Sequence, residues 1–127
     1  MEKDNRVMLA LSAVLLMLAV LIGAFGAHGL EKILVAKSMK TYQTGVTYHF
    51  YHAFGLMLVT LVSHQLKLNL KIVQWTLIIG ILLFSFNCYI YALSNVKTFA
   101  MIVPLGGISF IVAWFLLALK IWRGKEI

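Results

Sequence analysis

Four long apolar runs joined by short polar connections constrain this chain more than any other feature. They extend from Val7 to Ala27, from about Tyr42 to Ser63, from about Ile72 to Leu93, and from about Phe99 to Ile121. Each run is 21 to 23 residues long. As a helix, that is about 31–35 Å at 1.5 Å per residue. A hydrocarbon core of about 30 Å takes around 20 residues, so every run can span it. Without water to satisfy the backbone, a run of this length must be helical. The predicted fold is an all-α integral membrane protein, one domain over residues 1–127, built as a four-transmembrane-helix bundle with short loops.

Composition excludes the alternatives. Hydrophobic residues make up 62% of the chain and charged residues 12%, against roughly 45–50% and 25% in soluble domains. A soluble chain this short could not bury that much apolar surface. The net charge of +7 does not signal nucleic acid, because no basic face accompanies an aromatic stacking platform. The basic residues cluster beside the apolar runs, as membrane orientation requires. Lys3, Arg6, Lys67, Lys71, Lys120, Arg123 and Lys125 fall on the side of both termini, and Lys32, Lys37, Lys40 and Lys97 on the other. Seven against four predicts cytoplasmic termini. The one cysteine, Cys88, excludes an intrachain disulfide and a multi-cysteine metal site.

The first run has Lys3 and Arg6 ahead of it and Ala24, Gly26 and Ala27 near its end, as a signal peptide would. Its apolar stretch exceeds the usual 7–15 residues, so we expect a retained span. In the connection Leu30 to Lys40, Leu30, Ile33 and Leu34 would share one face of a short helix lying in the interface. A plain charged loop is the alternative reading.

Polar residues gather in the half of the bundle away from the termini. His52 is ten residues into the second run, about 15 Å deep and near the midplane. Gly45, Tyr48, His49, His52 and Leu56 form one stripe. Ser85, Asn87 and Tyr89 lie late in the third run, Pro104, Gly106 and Gly107 early in the fourth, and Gly23, Gly26 and His28 at the end of the first. The half toward the termini reads as almost purely aliphatic. A midplane histidine is costly against lipid, so His52 should face the interior. His28, Tyr48, His52, Ser85, Asn87 and Tyr89 thus form a candidate cluster, either ligand-binding or held by structural interhelical hydrogen bonds. Ala19, Gly23 and Ala27 recur every four residues, and with Gly26, Gly106 and Gly107 they mark close helix packing. Pro104 is read as lying near a helix start, where a missing backbone donor costs little. Trp75 and Trp122 fit an interfacial belt.

Several chemistries are disfavoured. The acidic residues Glu2, Asp4, Glu31 and Glu126 all lie outside the runs, whereas a proton-coupled exporter calls for an intramembrane carboxylate. Axial haem ligands would have to come from facing helices at matched depth, and His49 and His52 share one helix. We expect no cofactor, while haem or a quinone stays open. No catalytic motif is present, and the His49–His52 pair is a weak metal signal without carboxylate or cysteine beside it. We therefore name no catalytic and no metal residue, and an enzyme is the less favoured reading.

The run Gly23-Ala24-Phe25-Gly26-Ala27-His28 is distinctive. With Thr44, Tyr48 and His52, Phe84, Ser85 and Tyr89, and Pro104, Gly106, Gly107 and Trp114, it resembles an uncharacterised family of small bacterial inner-membrane proteins. This is domain of unknown function 423, the YgdD/YwdK-like proteins, which also has a mitochondrial relative in animals. The resemblance runs from about Leu9 to Leu119. It implies a four-helix membrane protein with a candidate site at Gly23, Gly26, His28, Tyr48, His52, Ser85 and Pro104, and it implies no reaction. Tyr42 stands where the family often has tryptophan, and Phe86 and Asn87 replace a Gly-Ser pair. His49 does not match a family position, which weights His52 and His28 above it.

Two functions follow as expectations. The first is a non-enzymatic small subunit or accessory factor of a membrane complex. Its partners would be membrane lipid and a membrane protein or a second copy of itself, with no nucleic acid. The alternative is binding or transport of a lipid, quinone or other small apolar ligand in the polar half-pocket around His52.

Overall fold

The computed structural model describes residues 1–124; Lys125, counted above for orientation, lies outside the described residues. Among the described residues, four helices are long and apolar enough to cross a membrane. α1 is Lys3–His28, α2 is Ala36–Leu66, α3 is Lys71–Ser94 and α4 is Lys97–Arg123. The main contacts run in chain order, α1 on α2, α2 on α3 and α3 on α4. The inner pair is covered more than the outer pair. In the most apolar 18-residue stretch of each helix, 44% of residues are buried in α2 and in α3 but only 22% in α1 and in α4.

The helices run past the ends of the apolar runs, most of all α2, which starts at Ala36 rather than near Tyr42. The expected interfacial helix is therefore reduced to a single 3₁₀ turn, Leu30–Lys32. Leu30 is buried there, Leu34 is half-buried and Ile33 is exposed. One turn cannot present all three on a common face.

The small residues pack where expected, with one shift. Ala19 and Gly26 are buried, and a Cβ on Gly26 would collide with the Tyr42 ring. Gly23 lies against Val46, while Ala27 is exposed. A stripe of spacing four drifts around a helix of 3.6 residues per turn, so Gly26 replaces Ala27 at the contact. On α4, Gly106 lies against the backbone of Leu83 and Phe84, and Gly107 only touches the Phe84 ring.

Pro104 lies inside α4 rather than in its first turn, because the helix begins at Lys97. It deprives the carbonyl four residues earlier of its helical donor. α3 carries a wide π-helical turn, Leu82–Phe86, at the level where Gly106 approaches. Such a turn frees carbonyls from the usual ladder. Asn87 answers this by donating from Nδ2 to the carbonyls of Leu82 at 3.2 Å and Leu83 at 3.0 Å.

Candidate functional site

His49 and His52 are separated by three positions, about 60° around a helix, and that angle sends them to different neighbours. Gly45, one turn earlier, lets α2 approach α3 so closely that a Cβ there would collide with Cys88 and Tyr89. His49 follows into this contact and is fully buried. Its Nδ1 shares a 2.8 Å hydrogen bond with the Tyr89 hydroxyl. The Phe86 ring meets the imidazole edge-on, with centroids 5.5 Å apart. Tyr42 packs on Tyr89 at 5.3 Å and donates its hydroxyl hydrogen to the Ile22 carbonyl at 2.5 Å. This cluster joins α1, α2 and α3.

His52 belongs to a second cluster. Its ring lies flat on Phe110 of α4, with centroids 3.5 Å apart and planes 9° from parallel. Its Nδ1–H donates to the Tyr48 carbonyl at 2.8 Å. Tyr48, Phe84 and Trp114 complete the surroundings. Gly55 makes room for the Trp114 ring, where any Cβ would intrude. His52 is 5% exposed, so its ring is covered by the protein itself.

The polar residues singled out in the sequence are thus divided rather than gathered. His49, Ser85 and Tyr89 are buried between α2 and α3, and His52 is buried against α4. Tyr48 has its outer side exposed, Asn87 serves the π-helical turn, and His28 is exposed at the end of α1. Among the described residues, the His49 Nε2 and the Ser85 Oγ are buried without a hydrogen-bond partner. The Leu15 carbonyl of α1 is close to the His49 ring but does not complete a hydrogen bond.

The half toward the termini is not purely aliphatic. Gln74, 1% exposed, donates from Nε2 to the Thr60 Oγ1 at 3.0 Å and to the Asn5 Oδ1 at 3.4 Å. Thr60 donates to the Leu56 carbonyl, Ser12 to Met8 and Ser63 to Leu68. The buried Lys120 reaches the Asn69 carbonyl at 3.2 Å and ties α4 to the α2–α3 turn. Gln74 inside an apolar run was the available signal, since an amide at that depth requires partners. A cavity of about 450 Å³ opens beside this network.

Among the described residues, no three His, Cys, Asp or Glu side chains converge on a point that could hold a metal ion. Neither histidine has a carboxylate partner, since every acidic residue lies outside the apolar runs. The aromatic rings around them are suited to packing and to fixing each imidazole in one orientation.

Four apolar helices with the interior polar groups mostly tied to the chain's own backbone define a small integral membrane protein. Residues 22–107 match the family model described as Protein of unknown function (DUF423). The chain belongs to that family. It is 40% identical over 118 residues to a UPF0382 membrane protein of Staphylococcus saprophyticus, covering 93% of this chain and 98% of the relative. It is 39% identical over 114 residues to the UPF0382 membrane protein YwdK of Bacillus subtilis, covering 88% and 93%. No solved structure matches it.

Proposed function

We propose that this chain is a non-enzymatic accessory factor or small subunit of a membrane complex, with its polar clusters serving to fix the bundle. The observation that carries this reading is the closure of His52. The ring is stacked on Phe110, bonded to Tyr48 and 5% exposed. A binding residue would be expected to face a cavity. The outer helices support the same reading, because their exposed apolar faces are available to a partner as well as to lipid.

In this proposal the termini face the cytoplasm of a bacterial inner membrane, following the excess of Lys and Arg at that end. Reporter fusions at each terminus test the orientation. The partner is tested by gentle extraction from the native membrane, native mass spectrometry and an absorption spectrum. Co-migrating polypeptides are the expected result. A lone chain carrying a chromophore or another small molecule overturns the proposal in favour of the ligand-binding alternative.

A further inference from the structure

The end of the bundle that carries the termini has a feature that the accessory reading does not use. The cavity of about 450 Å³ is bounded by the start of α1, the end of α2 and the α2–α3 turn. Its size falls in the usual range for ligand sites, about 300–1,000 Å³. Beside it lies a second space of about 270 Å³, lined by Val7, Met8, Gln74 and Trp75, with the ion-paired Asp4 at its edge. Lys71 lines both. A polar chamber opening beside an apolar slot, where the spans begin, is amphiphilic in shape.

The polar chamber carries donors. Lys67 lines it and makes no ion pair or hydrogen bond through its ammonium among the described residues. Its backbone is held at φ 55° by the turn that closes α2, where the Leu68 N–H donates to the Ser63 carbonyl at 3.1 Å. Lys71 stands at the junction of the two spaces, its Nζ 2.8 Å from the Asp4 carboxylate. Asn5 is 8% exposed and also lines the chamber. Its Oδ1 accepts from Gln74, and its Nδ2 has no acceptor within the described protein. α1 begins here without a side-chain cap, whereas at the start of α3 the Asn69 Oδ1 already accepts from the Lys71 N–H at 3.1 Å. The uncapped N–H groups of α1 add positive potential. Glu2, also in the wall, opposes a dianion and offers an acceptor to a hydroxyl.

We infer that this end of the bundle binds an anionic phospholipid. The phosphodiester sits in the chamber beside Lys67 and Asn5, and the first acyl carbons lie against Val7, Met8 and Trp75. A monoanionic phosphodiester with a hydroxylated headgroup, as in phosphatidylglycerol, fits both the cations and Glu2. The apolar slot selects a lipid over a free phosphate. This site is separate from the histidine clusters and does not depend on the accessory reading.

The test is native mass spectrometry of the full chain in mild detergent, titrated in parallel with phosphatidylglycerol, phosphatidylcholine and inorganic phosphate. Phosphatidylglycerol is expected to bind about fivefold or more tightly than phosphatidylcholine, the effect of one well-placed lysine at a membrane surface. Lys67→Gln is expected to remove that preference, Lys67→Arg to keep it, and Lys37→Gln at the opposite end to leave it unchanged. Equal binding of the two lipids by the unmodified chain overturns the proposal whatever the variants do. So does an undiminished preference in Lys67→Gln. Displacement of phosphatidylglycerol by inorganic phosphate, with no dependence on acyl chain length, overturns the assignment to a lipid.

Discussion

His49 and Tyr89 are joined by a 2.8 Å hydrogen bond between Nδ1 and the phenolic hydroxyl, across the α2–α3 contact and out of reach of water. The pair holds two helices in register one turn from Gly45, which lets them approach closely. An interhelical bond of this kind contributes about 0.6–2 kcal/mol in a membrane protein. A double-mutant cycle of His49→Phe and Tyr89→Phe, read by reversible unfolding in mixed micelles, should give a coupling of about 1 kcal/mol. Strict additivity of the two substitutions would mean that the bond contributes nothing.

Gly106 and Gly107 should respond very differently to the same change. A Cβ on Gly106 would run into the backbone of Phe84, which has nowhere to move. Gly106→Ala should therefore destabilise the bundle by about 1–3 kcal/mol, the usual cost of overpacking. Gly107→Ala meets only the Phe84 ring at 3.9 Å and should stay within about 0.5 kcal/mol. Thermal midpoints in one detergent would compare them directly, and equal losses would argue against the close approach of α4 to the π-helical turn.

Asn87 holds the carbonyls of Leu82 and Leu83. Asn87→Leu removes both bonds and should cost about 1–3 kcal/mol, because the freed carbonyls have no water nearby. The loss should be accompanied by faster amide exchange confined to the residues around Leu82–Phe86. Unchanged exchange there would show that the side chain does not support the wide turn.

Ser85 makes the opposite case. Its hydroxyl is buried without a partner among the described residues, so it is a cost that alanine removes. Ser85→Ala should leave the unfolding midpoint unchanged or raise it, since an unsatisfied buried polar group costs about 1–3 kcal/mol. A fall in stability would show that the hydroxyl holds a bound water or ligand, and crystallography of the wild type would then be the next step.

The spans were legible because a bilayer leaves an apolar run of this length one conformation. The helix ends were less legible. α2 runs back to Ala36 through Lys37 and Lys40, whose long side chains let a helix continue into the interface with their charges in water. The site was the least legible part. His52 drew attention by its depth and by the family resemblance, while His49 lies in the tighter contact. Gln74 is a single amide inside an apolar run, and its partners Thr60 and Asn5 come from two other helices that the run itself does not reveal.

The pattern of apolar runs and basic connections was enough to determine a four-helix membrane protein, because hydrophobic length and backbone satisfaction are local requirements along one chain. The rotation of each helix about its axis is not local. It depends on which glycine meets which ring, as Gly45 meets Tyr89 and Gly55 meets Trp114. A rotation of about 60° decides which of two histidines three positions apart faces α3 and which faces α4. Only the tertiary structure decided that, and only it brought Asn5 to Lys67 and Lys71, more than sixty residues further along the chain, around one chamber.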